Sequence, residues 1–468
     1  MPVFASGRPD AGSTVFQGGP QISTSTNPKN SGENAEMIGR ERLSPELIIC
    51  QCLFLTLSVV IAAAADAPST AVMRVQTGAH EAFIVNGAPT FPIGFTSGPP
   101  TGSATPGGEN AMRYLVSEGH VFQLWYCRNG AWGPEKEAEL DALLREANQQ
   151  GMHVVISIAE LQHTKPGDTA RIAELQRVVK KYRENPAVFF WKGEDEPQWG
   201  KIPADDLRTY YDTIHALDPN HPIWITQAPR GTVADWKPYS PFFDIGAVDI
   251  YPVSYPPGTH SGTDNHELSV VGDYAKRIAE STDFRKPTMM VLQICWSGVA
   301  KPGKTLRFPT FAEERYMTYQ AVANGARGLV YFGGTVAPCL NDRDAAYGWN
   351  WTFYDRILRP VLDQLRPDSP LYPALIAPDS KLHVSSDAEG AMDYVVREAG
   401  DYVYLLASRR EAATAPVTFK GLPLELEEGD VLFESPRRVK LSNGTLTDWF
   451  GPHEVHVYRF RRTSHSGS

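Results

Sequence analysis

Cysteine is scarce in this chain, with five among 468 residues. Two of them, Cys50 and Cys52, fall in an apolar run near the N-terminus. Cys127, Cys295 and Cys339 leave room for one disulfide and supply no C-x-x-C metal or redox motif. Positive charge is also short. Lys and Arg total 44 against 54 Asp and Glu, a net charge of −10 with no basic stripe, so nucleic acid is not an expected partner. The 12 histidines are scattered, and neither a His-x-His after the first strand nor ligand spacing around His163, His260 or His266 predicts a metal. A G-x-S-x-G elbow is missing, as is a Gly-rich dinucleotide turn, so no cofactor is expected.

One nucleotide-binding pattern does occur. Residues 298–305 read GVAKPGKT, matching G-x-x-x-x-G-K-[ST]. A phosphate loop needs a helix beginning at its Lys, and Pro302 and Pro309 deny one around Lys304. The stretch is expected to be a lid over the site, with no nucleotide partner.

Long hydrophobic runs are absent but for one. Residues 1–36 are rich in Ser, Gly, Asn and Pro and read as a disordered leader or a misplaced start. From Met37 the order is basic (Arg40, Arg42), apolar (47–64) and small (Ala63, Ala65), which predicts a signal peptide over 37–65 and a secreted or periplasmic protein. The alternative is a membrane anchor formed by the same segment, the only predicted contact with a membrane.

Beyond it, short apolar runs alternate with amphipathic helical patterns. The runs are 82–95, 121–126, 153–159, 187–191, 222–226, 243–251, 287–294 and 328–332. Helical patterns lie at 134–150, 169–184, 203–217, 264–281 and 311–324. Eight such strands predict an α/β fold, a (β/α)₈ TIM barrel, over 66–376. After about residue 379 short strands spaced by Gly, Asn and Asp turns replace the helical period. They predict a small C-terminal antiparallel β-sandwich over 377–462, packed on the barrel, with a disordered tail at 463–468.

In such barrels the chemistry sits just past the C-terminal strand ends. The fourth run continues as FFWKGEDEPQW, presenting Glu194, Asp195 and Glu196 together. Neighbouring carboxylates repel and burial favours the neutral form, so one of the three can stay protonated as a general acid. A plain reading is an acidic loop capping the next helix.

The opening FIVNGAPTFPIGF, the DEP after strand 4 and the VDIYP after strand 6 together resemble the glycoside hydrolases of clan A and their bacterial relatives. The resemblance spans residues 82–335 and implies a glycosidase acting on a poly- or oligosaccharide. In that clan strand 4 ends in Asn-Glu-Pro, the Glu being the acid/base, which implies Glu196 as proton donor with Asp195 in place of the Asn. The clan's nucleophilic Glu follows strand 7, where this chain has Gln293, and an amide cannot attack an anomeric carbon.

Three explanations stand, in this order. Asp249 or Glu160, both past strand ends, acts as base; a gap of about 6.5–9.5 Å to Glu196 would admit a water and imply inversion. Alternatively the substrate supplies the nucleophile, the Asp195–Glu196 pair being similar to that of hexosaminidases. Or the barrel binds carbohydrate without cleaving it. Tyr251, Gln293, Trp125, Trp199 and Trp296 are candidate substrate contacts, each with a plain packing role as the alternative.

Overall fold

The structure, a computed structural model, describes residues 71, 73–77, 82–253, 261–294 and 307–462. The expected leader, signal segment and tail and the GVAKPGKT stretch lie outside the described residues.

The first apolar run is divided in three. Strands β1 (Val75–Gln76), β2 (Phe83–Val85) and β3 (Ala88–Thr90) form a small antiparallel sheet, and only β4 (Ile93–Thr96) enters the barrel. The other barrel strands are β5 (Phe122–Cys127), β6 (His153–Ile158), β7 (Val188–Asp195), β8 (Ile223–Gln227), β9 (Ile245–Asp249), β10 (Thr288–Gln293) and β11 (Ala326–Phe332). They close as a parallel ring, with β11 pairing back to β4. Both faces of these strands are covered, which is why their sequences are apolar without alternation.

Phe122, Val155, Phe190, Trp224, Met289 and Val330 fill the barrel interior. The packing there is tight: a Cβ on Gly94 would lie 2.6 Å from the Phe122 ring. Helix Pro134–Gln150 starts on its proline and ends at Gly151 in the left-handed region (φ 77°), where a side chain would be strained. Helix Phe311–Ala323 is opened by a Thr310–Glu313 capping box. The helix expected from residue 264 begins instead at Val270. Asn265 bonds Ser269 and Asp273 through its side chain, holding the preceding residues in turns.

The C-terminal strands form two antiparallel sheets, of three and five strands, around a core that includes Val403, Leu405, Phe419, Leu446 and Phe460. This is the sandwich, and it is docked on two barrel helices. Arg410 reaches Asp273, Lys276 reaches the buried Asp393, Gln320 bonds Ser408 and Arg315 bonds the Val455 carbonyl. Among the described residues no helix is long and apolar enough to cross a membrane.

Candidate active site

The acidic trio sits on an irregular strand end. Lys192 of β7 pairs with Trp224 of β8, but the next pairing is Asp195 with Thr226, so β7 carries one extra residue. Such a bulge turns the residues around it onto different faces. Glu196 follows in the left-handed region at φ 49°, its amide bonded to the Thr226 carbonyl at 2.7 Å. A non-glycine residue held there costs about 1–3 kcal/mol and persists only where the surroundings enforce it. Here the Gly200 amide closes the turn onto the Glu196 carbonyl.

The three carboxylates therefore find three different partners. Glu194 points to His163 Nδ1 at 3.0 Å, and that hydrogen bond raises the His163 pKa. Asp195, its side chain 63% exposed, receives the ammonium of Lys192 at 2.9 Å. Glu196 is hydrogen-bonded to Asp249 at the end of β9. Burial, then the Asp195 charge, lifts the Glu196 pKa, while the bond from Asp249 and the charges of Lys192 and Arg230 pull it back. Asp249 is held well above the usual carboxylate range, first by burial and then by the charges of Glu196 and Asp195. Its Oδ1 is buried without a hydrogen-bond partner. Two acids in contact cannot both ionise cheaply, so the pair keeps a shared proton.

Tyr251 adds its hydroxyl to Asp249 and stacks on Phe332 at 5.2 Å. Burial and then the Asp249 charge keep that phenol protonated. Glu196, Asp195, Asp249 and Tyr251 thus share one mouth, as the strand ends predict.

Among the described residues the other candidates have different partners. Gln293 is fully buried, and its amide is spent on one backbone unit: Oε1 accepts from Val253 N at 2.8 Å and Nε2 donates to Val253 O at 3.0 Å. It fastens the chain leaving β9. Glu160 sits on the short helix Ala159–Gln162 and acts electrostatically on Cys127; it does not figure among the charges on Glu196 or Asp249. Trp125 is buried and bonds Glu139, packing toward helix Pro134–Gln150. Trp199 is 55% exposed at the mouth, with the Arg230 guanidinium 5.5 Å from its ring. Trp296 lies outside the described residues.

Two participants carried weak sequence signals. Lys192 is a buried cation in an otherwise apolar strand, its Nζ near the Gly193 and Glu194 carbonyls and 5.4 Å from the Trp224 ring. A charge inside such a run was the visible clue. Tyr126, 49% exposed at the end of β5, lies within electrostatic reach of Asp195 and Glu194. Among the described residues no group of three His, Cys, Asp or Glu side chains is placed to hold a metal ion. Cys127 is free and Cys339 is disulfide-bonded.

Fold and site together define a (β/α)₈ barrel with an appended β-sandwich and, at its C-terminal mouth, a carboxyl pair whose pKa values burial and mutual charge raise. No family model and no curated protein matches the sequence. Among solved structures, the chain is similar to a glycoside hydrolase of family 5 from Bacteroides vulgatus, with 12% identity, TM-score 0.58, and coverage of 84% of this chain and 93% of that one. It is also similar to a second glycoside hydrolase (14% identity, TM-score 0.56, 84% and 98% covered). An α-amylase from Geobacillus thermoleovorans, solved with acarbose, matches at 12% identity and TM-score 0.51 over 83% and 100%. At these identities the likeness is one of fold.

Proposed function

We propose that this chain is an exported glycoside hydrolase in which Glu196 gives the proton to the leaving oxygen. The observation that carries the reading is the hydrogen-bonded Glu196–Asp249 pair at the mouth, where burial and mutual repulsion keep a proton available. The fold likeness to glycoside hydrolases supports it, and the disulfide at Cys339 fits the oxidising compartment that the signal segment implies.

The contact between Glu196 and Asp249 leaves no space for the water that inversion needs, about 6.5–9.5 Å between carboxyls. Glu160 is not among the main charges acting on Glu196 or Asp249, and Gln293 cannot be a nucleophile. Asp195 remains, exposed and anchored through one oxygen by Lys192. The arrangement best suits a sugar carrying an acetamido group. Asp195 accepts the acetamido N–H, and the acetamido oxygen bonds to the anomeric carbon as the glycosidic bond breaks. Glu196 protonates the departing oxygen. Water then opens the resulting ring, returning its proton to Glu196.

The test is hydrolysis of aryl glycosides of N-acetylhexosamines and of the parent hexoses, by the wild type and by Glu196→Gln. Turnover confined to the acetamido series and reduced at least about 100-fold in Glu196→Gln is expected. Hydrolysis untouched by the substitution refutes the assignment. Because Gln293 occupies the clan's nucleophile position and is tied to the backbone, a non-catalytic carbohydrate-binding barrel is the second reading; binding without turnover in the same screen would select it.

A further inference from the structure

The bulge that sorts the three acids is itself held from behind. Strand β6 pairs with β7 only as far as Ile156 and Trp191. Toward β8 the register slips between Lys192 and Asp195, so Gly193 and Glu194 stand opposite the single residue Ile225. Lys192 is the residue at this break. A buried carbonyl has two lone pairs to satisfy, and that of Lys192 is met by two side chains. Gln162 Nε2 donates to it from 2.8 Å and the Tyr210 hydroxyl from 2.8 Å.

Both donors are buried. Gln162 ends the short helix Ala159–Gln162 after β6, and Tyr210 lies in helix Arg208–Leu217 after β7. Gln162 Nε2 is fixed further by Ser157 Oγ of β6 at 3.1 Å. The residue after it is His163, so two consecutive side chains reach the bulge, one at the Lys192 carbonyl and one at Glu194. Burial, then the Glu194 charge, keeps the Tyr210 phenol protonated and therefore a donor. Lys192 is thus gripped twice, its carbonyl by these two residues and its ammonium by Asp195. We infer that Gln162 and Tyr210 are positioning residues for the proton donor: holding the Lys192 carbonyl fixes the bulge, and the bulge brings Glu196 against Asp249. The inference rests on the assignment of Glu196 as the acid and deepens it, since both residues act through the backbone of β7.

The experiment compares Gln162→Met, Tyr210→Phe and the double variant, which keep the volume and remove the donors. Either donor alone still serves the carbonyl. Each single variant should therefore lower kcat about 2- to 5-fold and the double about 50-fold or more, beyond the product of the singles, with KM little changed. The readout specific to positioning is the carboxyl titration, followed by carbon-13 NMR of labelled Asp and Glu side chains with Asp249→Asn to assign the signal. In the wild type Asp249 titrates well above the usual carboxylate range. Loosening its contact with Glu196 and admitting water brings that titration down, by about one pH unit or more in the double variant and by less in each single one. A titration unmoved in all three variants, or losses of kcat that merely multiply, overturns the inference, because Gln162 and Tyr210 would then only pack. If the double variant does not fold, the Tyr210→Phe titration decides in the same way. If the wild type hydrolyses no glycoside, the assignment of Glu196 fails by itself, and the titration still judges the positioning role.

Discussion

Replacing Lys192 by Met separates what this buried cation does for folding from what it does for chemistry. Its Nζ is 2.9 Å from Asp195 Oδ1, a separation worth about 6 kcal/mol at an effective dielectric of 20. That figure is not realised, because the Asp195 side chain is 63% exposed and water competes for it; exposed pairs contribute about 1 kcal/mol or less. The bonds to the Gly193 and Glu194 carbonyls, at 3.4 and 3.5 Å, are long and weak. Against this stands the desolvation of an ammonium group inside the barrel, several kcal/mol even after relaxation. Asp195, left alone, remains hydrated. Lys192→Met is therefore expected to be neutral or to stabilise by up to about 2 kcal/mol, so the Tm stays constant or rises by a few degrees.

Activity goes the other way. Without its ammonium anchor Asp195 is free to reorient, and kcat falls about 10- to 100-fold. Lys192 also lowers the Glu196 pKa, so its removal lets that pKa rise further. A general acid works while protonated, hence the alkaline limb of the pH–rate profile moves to higher pH. Differential scanning calorimetry and pH-resolved kinetics on the wild type and the variant measure both. A Tm lower by more than about 5 °C with an unmoved alkaline limb would refute the reasoning, since it would make Lys192 a structural ion-pair partner.

Three further outcomes follow from the same accounting. Asp393→Ala strips the buried anion from Lys276 and Arg410 and is expected to cost about 2–4 kcal/mol in urea unfolding. Burial raises the Asp393 pKa, but the two cations outweigh it and hold it below the usual value. Its stability contribution is thus present above the unfolded pKa and lost as pH falls through the folded one, a loss the variant should not show. Glu314 is fully buried with neither carboxyl oxygen hydrogen-bonded, and burial lifts its pKa far up. The folded state then holds a proton the unfolded chain has released, so stability declines as pH rises between the two pKa values; Glu314→Met should flatten that decline and add about 1–3 kcal/mol at neutral pH, read by denaturation at pH 5 and 8. Gln293→Glu restores the clan's residue type but breaks the donation to the Val253 carbonyl. It should lower stability by about 1–3 kcal/mol in thermal or urea unfolding and yield no turnover of parent-hexose glycosides.

The chain by itself determined the architecture. Eight apolar runs between amphipathic helices admit few alternatives, because a strand covered on both faces must be apolar throughout, and the change to turn-spaced strands after residue 379 signals the sandwich equally well. The mouth location of Glu196, Asp249 and Tyr251 was legible for the same reason: strand ends in a parallel barrel all open on one side. What each side chain touches was not legible. Three consecutive acids read as one repelling cluster, yet a single extra residue in β7 sends Glu194 to His163, Asp195 to Lys192 and Glu196 to Asp249. Gln293 read as a sugar contact, and only the path of the chain after β9 brings the Val253 backbone to its amide. Register, bulges and loop paths are set by contacts between segments about 30 or more residues apart. Local composition carries no record of them, and they decide which carboxyl keeps its proton.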